Sequence, residues 1–122
     1  MSYREDKLSA ALAEVERLKA ENAHVRSRLA SMTAEVAALH ACYVRNLRWA
    51  AEQAAPQGCT LLIEPINLRD MPGYFLSHQA QAHAVVAGVG APNLKVQMDL
   101  YHCQIVEGDV AMKIRSEERR VG

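Results

Sequence analysis

The sequence predicts an α/β fragment: a helix–βαβ–helix unit preceded by a long coiled-coil-like helix. Three observations carry that reading. Residues 1–40 contain no Gly and no Pro and repeat apolar side chains every seven positions. Two short apolar runs, LLI at 61–63 and LKVQM at 94–98, flank a stretch with helical spacing. All four prolines and five of the six glycines fall between residues 41 and 114, where they punctuate these elements.

The first element is the heptad segment. With Leu8 at position a, the a positions collect Leu8, Val15, Asn22, Leu29, Val36 and Tyr43. The d positions collect Ala11, Leu18, Val25, Met32 and Leu39. Such a repeat, sustained over about five heptads, marks a coiled coil, and one Asn at a is a device for fixing register in a two-stranded state. Glu14 and Glu21 at g would face Lys19 and Arg26 at e of a parallel partner, so a homodimer through residues 8–39 is expected. An amphipathic helix packed on its own domain is the competing reading; the narrowness of the stripe disfavours it.

The second segment, 41–114, reads helix, strand, helix, strand, helix. CYVRNLRWAAEQAA has helical spacing and stops at Pro56 and Gly58. LLI is short and does not alternate, which predicts a strand buried on both faces. INLRDMPGYF is a loop. Ser77 is placed to cap the next helix and Gly90 to end it. LKVQMDLYH is the second strand, and another helix starts at Gly108 or Asp109. Two strands joined through a helix make one parallel βαβ unit, which needs further strands and covering helices to be stable. Residues 115–122, RSEERRVG, resemble no part of this unit and are expected to be a disordered or artefactual tail.

Composition excludes several functions. Fourteen basic residues balance fourteen acidic ones, so the net positive surface that phosphate binding requires is missing and nucleic acid is not an expected partner. No apolar run reaches the length of a membrane span, and no signal peptide is visible. Three scattered cysteines with no C-x-x-C pair argue against a zinc ribbon or a disulfide framework. A cytoplasmic location is expected.

The chemistry gathers at the strand ends. Glu64 follows LLI and Asp99 follows VQM. In a parallel α/β sheet, functional side chains collect at the C-terminal ends of strands. Two carboxylates on neighbouring strands could share a divalent cation, Mg²⁺ or Mn²⁺ for hard oxygen donors. They could equally be ordinary strand-end polar groups. His102 lies three residues beyond Asp99, in reach of a substrate oxygen. Arg69, in the loop after Glu64, could hold a carboxylate through a bidentate contact. His78 and His83 read as solvated helix surface.

LLIEPINLRDMPGYFL and NLKVQMDLYHCQIVEGD, with the spacing between them, resemble the hydroxypyruvate isomerases, within the xylose-isomerase-like TIM barrels. YVRNLRWAAEQAAPQG is similar to the barrel helix before the first motif, so the likeness covers about 41–114. The heptads have no counterpart in it. The resemblance implies a piece of an eight-stranded barrel whose full size is roughly 250 residues. It implies metal-dependent interconversion of hydroxypyruvate and tartronate semialdehyde through an enediol, with two glutamates moving the proton. It makes Glu64 a catalytic glutamate and metal ligand, Asp99 a second ligand, and His102 the substrate-contacting histidine. The second glutamate and the remaining ligands would come from later barrel strands, so this chain is expected to be partial and inactive alone. The alternative is a non-catalytic coiled-coil dimerisation or scaffold protein carrying a barrel remnant.

Overall fold

The computed structural model describes residues 3–121. The elements run α1 (Tyr3–Ala54), a 3₁₀ turn (Ala55–Gln57), β1 (Leu61–Ile63), α2 (Gln79–Val89), β2 (Leu94–Val96), α3 (Leu100–Val106) and α4 (Val110–Val121). The chain divides into two compact units, one ending at Ala41 and the other beginning at Cys42. No helix among the described residues is long and apolar enough to cross a membrane.

The first unit is the heptad part of α1. Its a and d side chains from Leu8 to Leu39 are all exposed. α1 does not break at residue 40. Nothing in the sequence before Pro56 removes a backbone donor or relaxes φ, so the helix runs on to Ala54. The polar face carries intrahelical pairs, Arg17 with Glu14 and Glu21, and Lys19 with Glu16.

The second unit holds the βαβ element. β1 and β2 pair in parallel, with Leu61 opposite Leu94 and Ile63 opposite Val96. The backbone N–H of Gln97 donates to the Ile63 carbonyl and extends the ladder by one bond. The core is Ile63, Leu76, Ala82, Val85, Val89 and Leu94. The end of α1 covers it with Tyr43, Val44 and Leu47. Tyr43, an a position by the heptad count, meets Phe75 edge-on at 5.4 Å between ring centroids. The heptad stripe therefore ends at Leu39. Arg48 donates to the carbonyls of Gly88 and Val89, placing a cation on the C-terminus of α2. Gly90 closes that helix with φ +71°, a left-handed cap that any Cβ would strain.

Several expectations need correction. Leu62 is 56% exposed, so β1 is covered on one face rather than both. Among the described residues the sheet has two strands, with Ile63 buried in the core and Leu62 exposed. Ser77 does not cap α2. The cap residue is His78, without a side-chain cap bond, and the Ser77 hydroxyl is instead 2.9 Å from His78 Nδ1. β2 ends at Val96 because Asp99 turns the chain into α3, so Leu100–His102 are helical. Gly108 and Asp109, both with positive φ, separate α3 from α4. Arg115–Val121 continue α4 as helix; Gly122, like Met1 and Ser2, lies outside the described residues. His83 is not a solvated surface group. Its Nε2 sits 2.8 Å from Glu117 Oε1, and both side chains are about four-fifths buried.

Candidate active site

Glu64, Asp99 and His102 come together. One potential ligand atom from each lies within 4.8 Å of the other two, and all three residues are partly buried. Two different local devices place the carboxylates. Glu64 is carried by the end of β1, directly after the buried Ile63. Asp99 is the N-cap of α3, and its Oδ1 accepts from the backbone N–H groups of Tyr101 (2.8 Å) and His102 (3.1 Å). One Asp99 oxygen is thus committed to the helix and the other remains for a ligand.

The third device is Asn67, which is completely buried. Its Oδ1 accepts from the backbone N–H of Arg69 (3.0 Å) and of Asp70 (2.9 Å). Backbone N–H groups can only donate, so the amide orientation is settled and Nδ2 must be the donor end. Nδ2 lies 2.9 Å from Asp70 Oδ2 and 2.7 Å from His102 Nδ1. The backbone N–H of Asn67 also points at His102 Nδ1, at 3.5 Å. Nδ1 is therefore the acceptor, and a neutral His102 carries its proton on Nε2. The assignment follows from the surrounding donors, and it makes His102 a donor at its other ring nitrogen.

Asp70 closes the rim. Its Oδ2 accepts from the Tyr101 hydroxyl at 2.8 Å, tying the loop after β1 to α3. The Asn67 amide, then the Tyr101 hydroxyl, hold the Asp70 carboxyl below its ordinary range. The same bond to Asp70 raises the Tyr101 phenol. Arg69 is exposed and outside the three-residue cluster; its charge acts on Asp70 and Tyr101. Sequence reasoning picked out Glu64, Asp99, His102 and Arg69. It missed Asn67, Asp70 and Tyr101 as a hydrogen-bonded frame. The available signal was an Asn two residues before Arg69-Asp70, the pattern of a side chain that folds onto its own loop.

A concavity of about 630 Å³ lies at the opposite ends of the strands, between Cys59–Thr60 and Pro92–Asn93. It holds no titratable cluster comparable to Glu64–Asp99–His102. In parallel sheets the carboxyl ends of strands carry the chemistry, so the three-residue site is the functional candidate.

The fold and this cluster define a class. The family model for the xylose isomerase-like TIM barrel matches residues 3–122, and the chain belongs to that family. The match is wider than residues 41–114 and takes in the heptad segment, which the motif resemblance had left outside. Among individual relatives, the chain is 56% identical over 99 residues to a 2-oxo-tetronate isomerase of Cupriavidus necator, covering 81% of this chain and 38% of that protein. It is 40% identical over 84 residues to a hydroxypyruvate isomerase of Escherichia coli, covering 69% of this chain and 33% of that one. A solved structure described as an AP endonuclease, family 2, from Brucella melitensis superposes with a TM-score of 0.61 at 47% identity. It covers 63% of this chain and 30% of that one. The chain thus spans about a third of the length of these relatives.

Proposed function

We propose that this chain carries one part of the active site of a metal-dependent isomerase acting on hydroxypyruvate or a related short 2-oxo acid. The observation that supports it most is the meeting of Glu64, Asp99 and His102 at the carboxyl ends of two parallel strands. The names of the relatives give the substrate class: a 2-oxo acid with a hydroxyl on the adjacent carbon.

The donor set fits a divalent cation. Glu64 and the uncommitted oxygen of Asp99 are hard oxygen donors suited to Mg²⁺ or Mn²⁺. A bound cation would polarise the substrate carbonyl and hydroxyl and lower the cost of enediol formation. Glu64 takes the C–H proton from the hydroxymethyl carbon of hydroxypyruvate, leaving an enediolate. The terminal hydroxyl proton then passes to the former carbonyl oxygen and the abstracted proton is returned to the former carbonyl carbon, which gives tartronate semialdehyde. His102 donates from Nε2 to a substrate oxygen, held in that tautomer by Asn67. Arg69 stands at the rim as a partner for the substrate carboxylate. A second acid–base glutamate on the opposite face of the substrate belongs to the remainder of a complete barrel, so the isolated chain is expected to turn over no substrate.

The test is a transplant. Residues 42–114 replace the matching segment of the Cupriavidus necator relative, and the chimera is assayed with hydroxypyruvate and 2-oxo-tetronate. Activity is expected in the chimera, with a loss of 10³-fold or more on Glu64→Gln, in keeping with removal of a general base. A folded chimera that keeps its activity after Glu64→Gln would refute the assignment.

A further inference from the structure

We infer that residues 8–39 form a parallel, in-register, two-stranded coiled coil with a second copy of this chain. The starting observation is the bare stripe on α1. Its large apolar a and d side chains from Leu8 to Leu39 are 43–63% exposed, over a length of about 46 Å at the usual rise per residue. So long a contiguous apolar seam is an interaction surface. The seven-residue period shapes it for another helix, since that spacing keeps the seam facing a partner along its whole length.

Charge identifies the partner and its direction. In a parallel in-register pair of this chain, each g residue faces the e residue five positions later on the other copy. Glu14 meets Lys19, Glu21 meets Arg26, Glu35 meets His40, and Arg28 meets the neutral Thr33. No like charges meet. The antiparallel arrangement with full overlap stacks Leu8 on Leu39, Val15 on Met32 and Asn22 on Val25. It then sets Glu14 against Glu35 and Lys19 against Arg26, each twice by symmetry, with Glu21–Arg28 as the one attractive pair in each half. Two repulsive pairs per dimer half work against it. Asn22 decides the same way. Only in the parallel register does it sit opposite another Asn22 and find an amide to bond; otherwise it is buried against Val25 with its amide unpaired. The intrahelical pairs that Arg17 and Lys19 make in the single helix are exposed and weak, and they leave the e and g side chains able to turn to a partner. This inference does not depend on the isomerase reading.

The test uses the full chain with Leu8→Cys, equilibrated in a glutathione redox buffer and mapped by mass spectrometry of its disulfide-linked peptides. The expected product links position 8 to position 8 of the second copy, and that link should disappear when Leu18→Glu and Leu29→Glu are added. A link from position 8 to Cys42 of the second copy would mean antiparallel helices and overturn the inference. So would the absence of any position-8 dimer, or a link that survives both stripe substitutions. Sedimentation equilibrium on Asn22→Leu supplies a second readout. A higher melting temperature with a mixture of dimers and larger species is expected, and no change in either melting or mass would refute the assigned register.

Discussion

At Asn67 every hydrogen-bonding position of a fully buried side chain is in use: two acceptances at Oδ1 and two donations from Nδ2. Replacing it by Ala removes all four bonds and leaves His102 Nδ1 without its strongest donor. In the transplant chimera, Asn67→Ala is expected to cost about 1–3 kcal/mol by urea denaturation. In the same variant the ¹⁵N shifts of the His102 ring should change from a single Nε2–H tautomer to a mixture, and an unaltered ring spectrum would refute the proposed role of Asn67. Asp70 offers a second check. Its carboxyl is held low first by Asn67 and then by Tyr101. In Tyr101→Phe the Asp70 side chain, followed by carbon NMR, should titrate at a higher pH than in the parent chain. These contacts join residues 31 and 35 positions apart. That is why the carboxylates could be picked out from their place after apolar runs, while the amide and phenol that frame them could not.

Between elements, Glu107 ties three helices. One carboxylate oxygen accepts from the backbone N–H of Gln79 at the exposed-donor end of α2, at 3.1 Å. The other accepts from Lys113 in α4 at 2.8 Å. Burial pushes this carboxyl up, but Lys113 and the Gln79 N–H together outweigh it, and the net shift is downward. A group with a depressed folded pKa contributes stability above its unfolded value, about 4.3 for Glu. That contribution is lost as pH falls through the lower folded value. In the transplant chimera, Glu107→Gln should therefore lower the midpoint of urea unfolding at pH 7 and flatten the dependence of stability on pH below about 4.3. A variant with the parent's full acid dependence would show that Glu107 is not the linked group. At this scale the order helix, strand, helix, strand, helix was legible from Gly, Pro and apolar spacing. The end of β2 was not, because Leu100 and Tyr101 after Asp99 read in sequence as a continuing strand, whereas Asp99 caps α3 there.

For the whole molecule, the decisive feature is a sheet of two three-residue strands, covered on one face. Leu62 on the bare face is 56% exposed, and Trp49 is 65% exposed. Parallel pairs this small are marginal in water, and their free edges template association. The isolated chain should bind the dye ANS at neutral pH and melt broadly, with strong helical far-UV circular dichroism from α1 and a weak near-UV signal from Trp49. A sharp cooperative transition with an intense near-UV band would contradict this.

What the sequence determined by itself is what local spacing encodes: the heptad stripe, the βαβ order, and the motifs holding Glu64, Asp99 and His102. These follow from patterns within a few residues of one another, where helical and strand periods decide which side chains share a face. Tertiary structure alone decided the rest. It turned Tyr43 from the heptad seam into the core, left one face of β1 open, paired His83 with Glu117, and used Asn67 to fix which nitrogen of His102 carries the proton. Each of those outcomes depends on groups distant in the chain meeting at hydrogen-bond or packing distance. No local pattern carries that information, because burial and the partners of a polar atom are properties of the folded chain.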